Sequence, residues 1–190
     1  LESVMSKVWN KKIFEHIQKD VDRASKDLAE ERGACPDAED YGIKERFSNK
    51  TAIAPTASIS IICGGTSPGV EPIAANSYTH KTLSGSFNVR NRYLEKLLEK
   101  HNKNDDETWS GITTNQGSVS HLNFLTQQEK DVFKTAFELD QKWIVELGAD
   151  RTPHISQAQS INIFVPADIH KKELHQIHFQ AWKKGLKSLY

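Results

Sequence analysis

The sequence predicts an α/β domain. Helical patterns at residues 3–32, 126–148 and 168–189 alternate with short apolar runs such as Ser160–Val165, and Gly, Pro, Asn and Asp punctuate the joins. Strands covered by helices are the arrangement that buries both kinds of apolar surface.

Each element follows from local chemistry. Val4, Val8, Ile13, Ile17, Val21, Ala24 and Leu28 recur at helical spacing and Gly33 stands where a helix would stop, so 3–32 is predicted as one amphipathic helix. The following "GACPDAEDYGIKERFSNK" has no period and is predicted as a connecting loop. Two strand-like runs flank Leu83-Ser84-Gly85, which predicts a β-hairpin, and Asn91 then caps a helix running through Leu97 and Leu98. "HNKNDDETWSGITTNQGSV" is predicted as a polar surface loop.

From Thr126 the signal is helical again. Thr126 and Glu129 have capping-box spacing, while Val132, Phe133, Ala136, Phe137, Trp143, Ile144 and Leu147 give an apolar face that ends at Gly148. A strand is expected over Ser160–Val165, closed by Pro166. Asp168 is then expected to cap a last helix with Leu174, Ile177, Ala181, Trp182 and Leu189 on its face. No internal repeat or low-complexity segment is visible.

A chain of 190 residues with 37% hydrophobic and 26% charged residues can bury one substantial core. Lys+Arg and Asp+Glu each number 25, so the overall charge recommends neither a nucleic-acid nor a membrane-surface partner. No apolar run suits a membrane span and the start lacks a signal-peptide core, which predicts a cytoplasmic protein. Cys35 and Cys63 sit in no metal or CxxC spacing and read as ordinary buried or half-buried thiols of a reducing compartment. Leu1 in place of Met points to a longer polypeptide upstream.

The chemically informative stretch is "KTAIAPTASISIICGGTSPGVEP", residues 50–72. Backbone N–H groups at a helix start attract phosphate, and small side chains let the anion approach the main chain. Thr56, Ala57, Ser58 and Ser60 suit such a site, with Pro55 able to open the first turn. The plainer alternative is a common turn followed by a buried strand, "ISIIC", with its β-branched residues. His170, His175 and His178 read as solvent-facing, Asp105-Asp106-Glu107 as a solvated loop, Trp143 and Trp182 as core, and Glu71 as structural, so no metal site is predicted.

Six motifs in order, "ERGACP", "APTASIS", "GTSPGVEP", "LSGSFNV", "QSINIFV" and "AWKKGLKSLY", resemble the C-terminal part of the catalytic large subunit of class I ribonucleotide reductase, from about Leu28 to Tyr190. The resemblance implies that residues 1–190 form the last part of a ten-stranded α/β barrel, an incomplete domain made separately or cut from a longer chain. It implies that Thr56, Ala57, Ser58, Ile59 and Ser60 hold the phosphates of a ribonucleoside diphosphate. Ile59 stands where the family often has Thr, which removes a hydroxyl but keeps the amide; Ser60 is the expected compensation. Tyr190 matches the first of two adjacent tyrosines that relay a radical, the second lying beyond the chain.

By the same resemblance the thiyl-forming cysteine, the reducing pair and a nearby Asn and Glu lie upstream, and neither Cys35 nor Cys63 matches them. The chain alone is expected to bind no cofactor and to reduce no nucleotide. The complete enzyme would use a metal/radical cofactor on a small subunit, a dithiol reductant and ATP/dNTP effectors. Its partners would be the upstream remainder of the large subunit, the radical-bearing small subunit and a second large subunit in a dimer. Two alternatives stay open: the adenosylcobalamin-dependent class of the same superfamily, and a non-catalytic nucleotide-binding or assembly remnant.

Overall fold

A computed structural model describes residues 1–190, the side chain at position 82 excepted. The chain divides into two compact units, one of Leu1–Val70 with Asp140–Tyr190, the other of Glu71–Leu139.

In the first unit, helix α1 spans Val4–Arg32, started by Ser3, whose side chain accepts the Ser6 N–H, and stopped by Gly33 at φ 83°. Its bounds match the expectation but its inner face does not. Val4, Met5, Val8, Trp9, Ile13 and Ile17 are exposed. The seam instead uses Lys7, Asn10 and Gln18, whose side chains find polar partners on helix α7, Gln141–Arg151, and just beyond it, together with Phe14 under the Arg151 guanidinium, while the buried Ser25 accepts the N–H groups of Arg46 and Phe47. Asn10 donates to the Leu147 carbonyl at 3.0 Å, and Gln18 accepts from His154 Nδ1 at 2.7 Å.

The predicted loop after Gly33 contains one short helix, α2, Pro36–Glu39, with Pro at its start where a missing N–H costs nothing. Cys35 is half-buried, whereas Cys63 is exposed, contrary to the reading of both as buried or half-buried thiols. Helix α3 covers Ala57–Ile62, so "ISIIC" is helical rather than a strand.

Helix α8 covers Lys171–Lys183. His170 caps it by accepting the Lys172 N–H, in place of the expected Asp168, and Trp182 is 73% exposed rather than core. Leu189 lies beyond the helix end but packs, with Ile163, Val165, Ile169 and Leu186, on the buried Val145, Ile177 and Ala181. Ser160–Val165 is extended but forms no regular strand; its pairing is residue by residue, as described below.

The second unit is built from local signals. Strands β1, Ser77–Thr82, and β2, Gly85–Arg90, form the expected antiparallel hairpin, with Tyr78 opposite Val89. Asn91 caps helix α4, Arg92–Lys100, as expected. The supposed polar loop holds helix α5, Asp106–Thr114, because Asp105 accepts the Thr108 N–H and because Trp109 and Ile112, three apart, both face the core. The acidic run is thus solvated as expected, but forms a cap and first turn rather than a loop. Leu94, Leu98, Trp109, Ile112, Val119, Leu122 and Leu125 pack together there.

The long helix expected over 126–148 is broken. Helix α6, Gln127–Val132, carries the Thr126–Glu129 capping box, the chain turns at Phe133, and α7 restarts at the Asp140 cap. Between them Glu138 accepts the Thr135 N–H at 2.8 Å and the Ala136 N–H bonds the Ile73 carbonyl at 2.9 Å, both incompatible with one helix. Val132 and Phe137 are left exposed, and Trp143 is half-buried.

Glu146 on α7 ties α7 to both α1 and α8. Lys7 of α1 lies 3.1 Å away, and Lys184 and Gln180 at 2.8 Å come from α8 and its C-cap. Partial burial pushes its carboxyl up, but the hydrogen bonds from Lys184, Lys7 and Gln180 outweigh that and hold it at about 2. A depressed carboxylate stabilises fully above its unfolded value of 4.5 and is lost as pH falls through 2. Unfolding midpoints in urea are therefore expected to hold from pH 7 to 5 and fall between pH 4.5 and 2. Glu146→Gln should flatten that fall while lowering the neutral-pH midpoint.

Candidate functional site

Three extended segments of the first unit run in parallel. The Ile53 N–H donates to the Ala158 carbonyl at 3.1 Å and the Ser160 N–H to the Ile53 carbonyl at 2.8 Å, the slanted pattern of a parallel pair centred on Ile53 and Gln159. On the other side the Tyr190 N–H donates to the Ile161 carbonyl and the Ile163 N–H to the Tyr190 carbonyl, both at 2.9 Å. Residues 157–163 are therefore the central member, and α8 is the crossover to the Tyr190 segment.

A cleft of about 740 Å³ runs along these segments. Its walls include Ile53, Pro55, Gln159, Ser160, Asn162 and Tyr190. Tyr190 fixes its backbone in the pairing, and the residue is 71% exposed.

The segment 54–60 leaves this wall through a sharp turn. Thr56 sits at φ 51°, a left-handed conformation uncommon for Thr, and serves as N-cap of α3, with Pro55 one residue outside the helix rather than opening it. The turn is closed from outside: Thr56 Oγ1 accepts the Gly69 N–H at 2.6 Å. Gly69 has φ 53°, and a Cβ there would meet the Ala54 carbonyl at 3.2 Å, so the "GTSPG" loop needs glycine to come this close.

Ala57, Ser58 and Ile59 are the first helical residues, whose amides have no intrahelical acceptor, and all three are exposed. Ser60 is buried, and its hydroxyl donates to the Ala57 carbonyl at 2.7 Å. The five residues thus form one turn, with Ser58 outward and Ser60 inward. Pro55 and Tyr190 line the same cleft, with Thr56 the next residue after its wall.

Gln159 is a further residue of this wall, to which the motif "QSINIFV" alone assigns no role. It is buried, and its side chain accepts from Arg151 Nε at 3.0 Å and donates to the Gly148 carbonyl and Thr152 Oγ1, each at 3.0 Å. Arg151 also donates to Asn10 Oδ1 at 3.1 Å and lies over the Phe14 ring. Burial pushes its guanidinium down to about 10, opposed by the Asp150 charge. Gln159 stands before the apolar run that begins at Ile161, between Ala158 and Ser160, so nothing in its local sequence marked it as buried. Among the described residues no three His, Cys, Asp or Glu side chains group as a metal site would, and no helix is long and apolar enough to cross a membrane.

Parallel segments joined by a helical crossover, with a small-residue turn at the edge of a cleft, define part of an α/β barrel. Residues 37–190 match the family profile described as the ribonucleotide reductase barrel domain. The chain belongs to that family. It is 50% identical over 182 residues to the ribonucleoside-diphosphate reductase large subunit of Invertebrate iridescent virus 6, covering 94% of this chain and 19% of the relative. To the large subunit of Invertebrate iridescent virus 3 it is 46% identical over 193 residues, 100% of this chain and 30% of the relative. Among solved structures, the Actinobacillus ureae class Id ribonucleotide reductase alpha subunit superposes with a TM-score of 0.91 at 37% identity, over 100% of this chain and 34% of that one. The chain thus spans less than a third of these viral relatives.

Thr56→Val keeps the shape but removes the acceptor of the Gly69 N–H. Loss of about 0.5–1.5 kcal/mol in urea unfolding of the first unit is expected, the net worth of one hydrogen bond, since water can reach the exposed Gly69 N–H.

Proposed function

We propose that this chain is the C-terminal part of the barrel domain of a ribonucleoside-diphosphate reductase large subunit, and that it contributes two things to reduction of ribonucleoside diphosphates. The turn Thr56-Ala57-Ser58-Ile59-Ser60 grips the diphosphate, and Tyr190 relays the radical. The observation that carries the reading is that the run-in to the turn and the Tyr190 strand flank one central segment and line one cleft.

The chemistry fits the residues. The amides of Ala57, Ser58 and Ile59 and the Ser58 hydroxyl present donors to phosphate oxygens, and hydrogen bonds to a charged acceptor are roughly twice as strong as neutral ones. Ile59 needs only its amide for this. Ser60 acts inward, fixing the turn through the Ala57 carbonyl. The Tyr190 phenol can lose an electron together with its proton and recover both from the neighbouring relay group, so no net oxidation of the chain remains.

The remaining chemistry belongs to partners: an upstream part of the large subunit bearing the reactive cysteines, and a small subunit bearing the metal/radical cofactor. The exposed apolar stripe of α1, Val4 to Ile17, supports a larger assembly, since such surface is costly to leave in water. A dimer of large subunits, a dithiol reductant, ATP/dNTP effectors and a cytoplasmic setting complete the reading.

Calorimetric titration of the chain with CDP tests the turn. Ser58→Ala is expected to weaken binding about five- to tenfold, the loss of one charge-assisted hydrogen bond. In a large subunit completed with its upstream part and supplied with small subunit and dithiol, Tyr190→Phe should keep CDP affinity and lower turnover about a hundredfold or more. Undiminished turnover would remove Tyr190 from the relay, and unchanged affinity in Ser58→Ala would remove Ser58 from the site.

A further inference from the structure

Gln159 lines the cleft and is held on several sides. Its backbone is the centre of the parallel pair with Ile53. Its carbonyl accepts from Ser188 Oγ at 3.0 Å, two residues before Tyr190. Its side chain is clamped by Arg151 of α7, by the Gly148 carbonyl and by Thr152, and Arg151 is tied in turn to Asn10 of α1.

The clamp is one-sided in its consequences. A buried guanidinium is costly unless its donors are met, so Arg151 holds the Gln159 side chain in one rotamer. With that rotamer fixed, the central segment cannot slide, and a slip by one residue would turn Gln159 and Ile161 out of the core and Ser160 and Asn162 into it. Lys187 adds a tie from the Tyr190 side, donating to the Ser156 and Gln157 carbonyls at 3.0 and 2.8 Å.

We infer that Gln159, clamped by Arg151, is a positioning residue that sets the register of both neighbouring segments at once, and so fixes the turn after Pro55 and the Tyr190 phenol relative to each other across the cleft. The inference rests on the reading that the turn and Tyr190 serve one reaction. It also makes a claim about the fold that can be read without any ligand.

The test uses the 190-residue chain with 3-fluorotyrosine at position 190, unliganded, by amide hydrogen exchange and fluorine resonance. Gln159→Met alone leaves Arg151 without its Nε acceptor and can cost the fold. The double variant Arg151→Met, Gln159→Met removes the orphaned charge while keeping the bulk, and its helix content by circular dichroism checks folding. In the double variant the amides of Ile53, Ser160, Ile163 and Tyr190 are expected to exchange about tenfold faster, with less than about twofold change at Ile177 in α8 and Leu98 in α4. The fluorine resonance should shift or broaden. Gln159→Glu, which keeps the acceptor for Arg151, should recover part of the protection on both sides.

Parent-like exchange at Ile53 and Tyr190 would overturn the inference, as would equal acceleration at all amides, which marks a merely structural role. Loosening of one neighbour without the other would overturn it too. A final addition of CDP separates the two claims: a parent chain that does not bind it defeats the phosphate reading, while the exchange pattern still decides the role of Gln159.

Discussion

A guanidinium taken out of water has to be met by acceptors, and that requirement organises the first unit. Arg151 reaches Gln159 in one direction and Asn10 in another, with the Phe14 ring against its plane. Breaking such a group's partnerships costs far more than forming them contributes, because the stranded charge keeps its desolvation penalty. The knot therefore acts as a specificity device: it admits one docking of α1 on α7 and one register of the central segment. Gly148 shows how closely this is packed, since a Cβ there would stand 2.8 Å from the Ile161 side chain.

The two units solve the same problem differently. Residues 71–139 are contiguous, and their stability comes from caps and a core of Leu, Ile and Trp assembled from near neighbours. Asn76 illustrates the economy: its side-chain amide donates to the Gly117 and Phe133 carbonyls, and its oxygen accepts from the Asn91 side chain. The first unit joins distant stretches instead, and its decisive bonds link Ile53 to residues 158 and 160, or Lys7 to Glu146.

That contrast explains what the sequence made legible. Asn91, the Thr126–Glu129 box and the Leu83–Gly85 turn act within a few residues and can be read directly. The face of α1 could not be, because its seam is written in Lys, Asn, Phe and Gln whose partners lie far along the chain, while its apolar stripe is exposed. The break between α6 and α7 was hidden because apolar residues of two separate cores fall into one helical period. At the site, the small hydroxyl residues of 56–60 and the six motifs were readable. The positive φ of Thr56 and the inward Ser60 were not, since both depend on atoms the local sequence does not name.

The second unit sits in the chain between the partners Ile53 and Gln159. Their pairing must therefore close a very long loop, and each doubling of loop length costs about 0.6 kcal/mol in chain entropy. The Ala136 N–H bond to the Ile73 carbonyl brings the two ends of the intervening unit together, so with it in place the effective loop between Ile53 and Gln159 is far shorter. That end-to-end bond thereby acts as a clasp on the intervening chain, lowering the entropy that the Ile53–Gln159 pairing has to overcome.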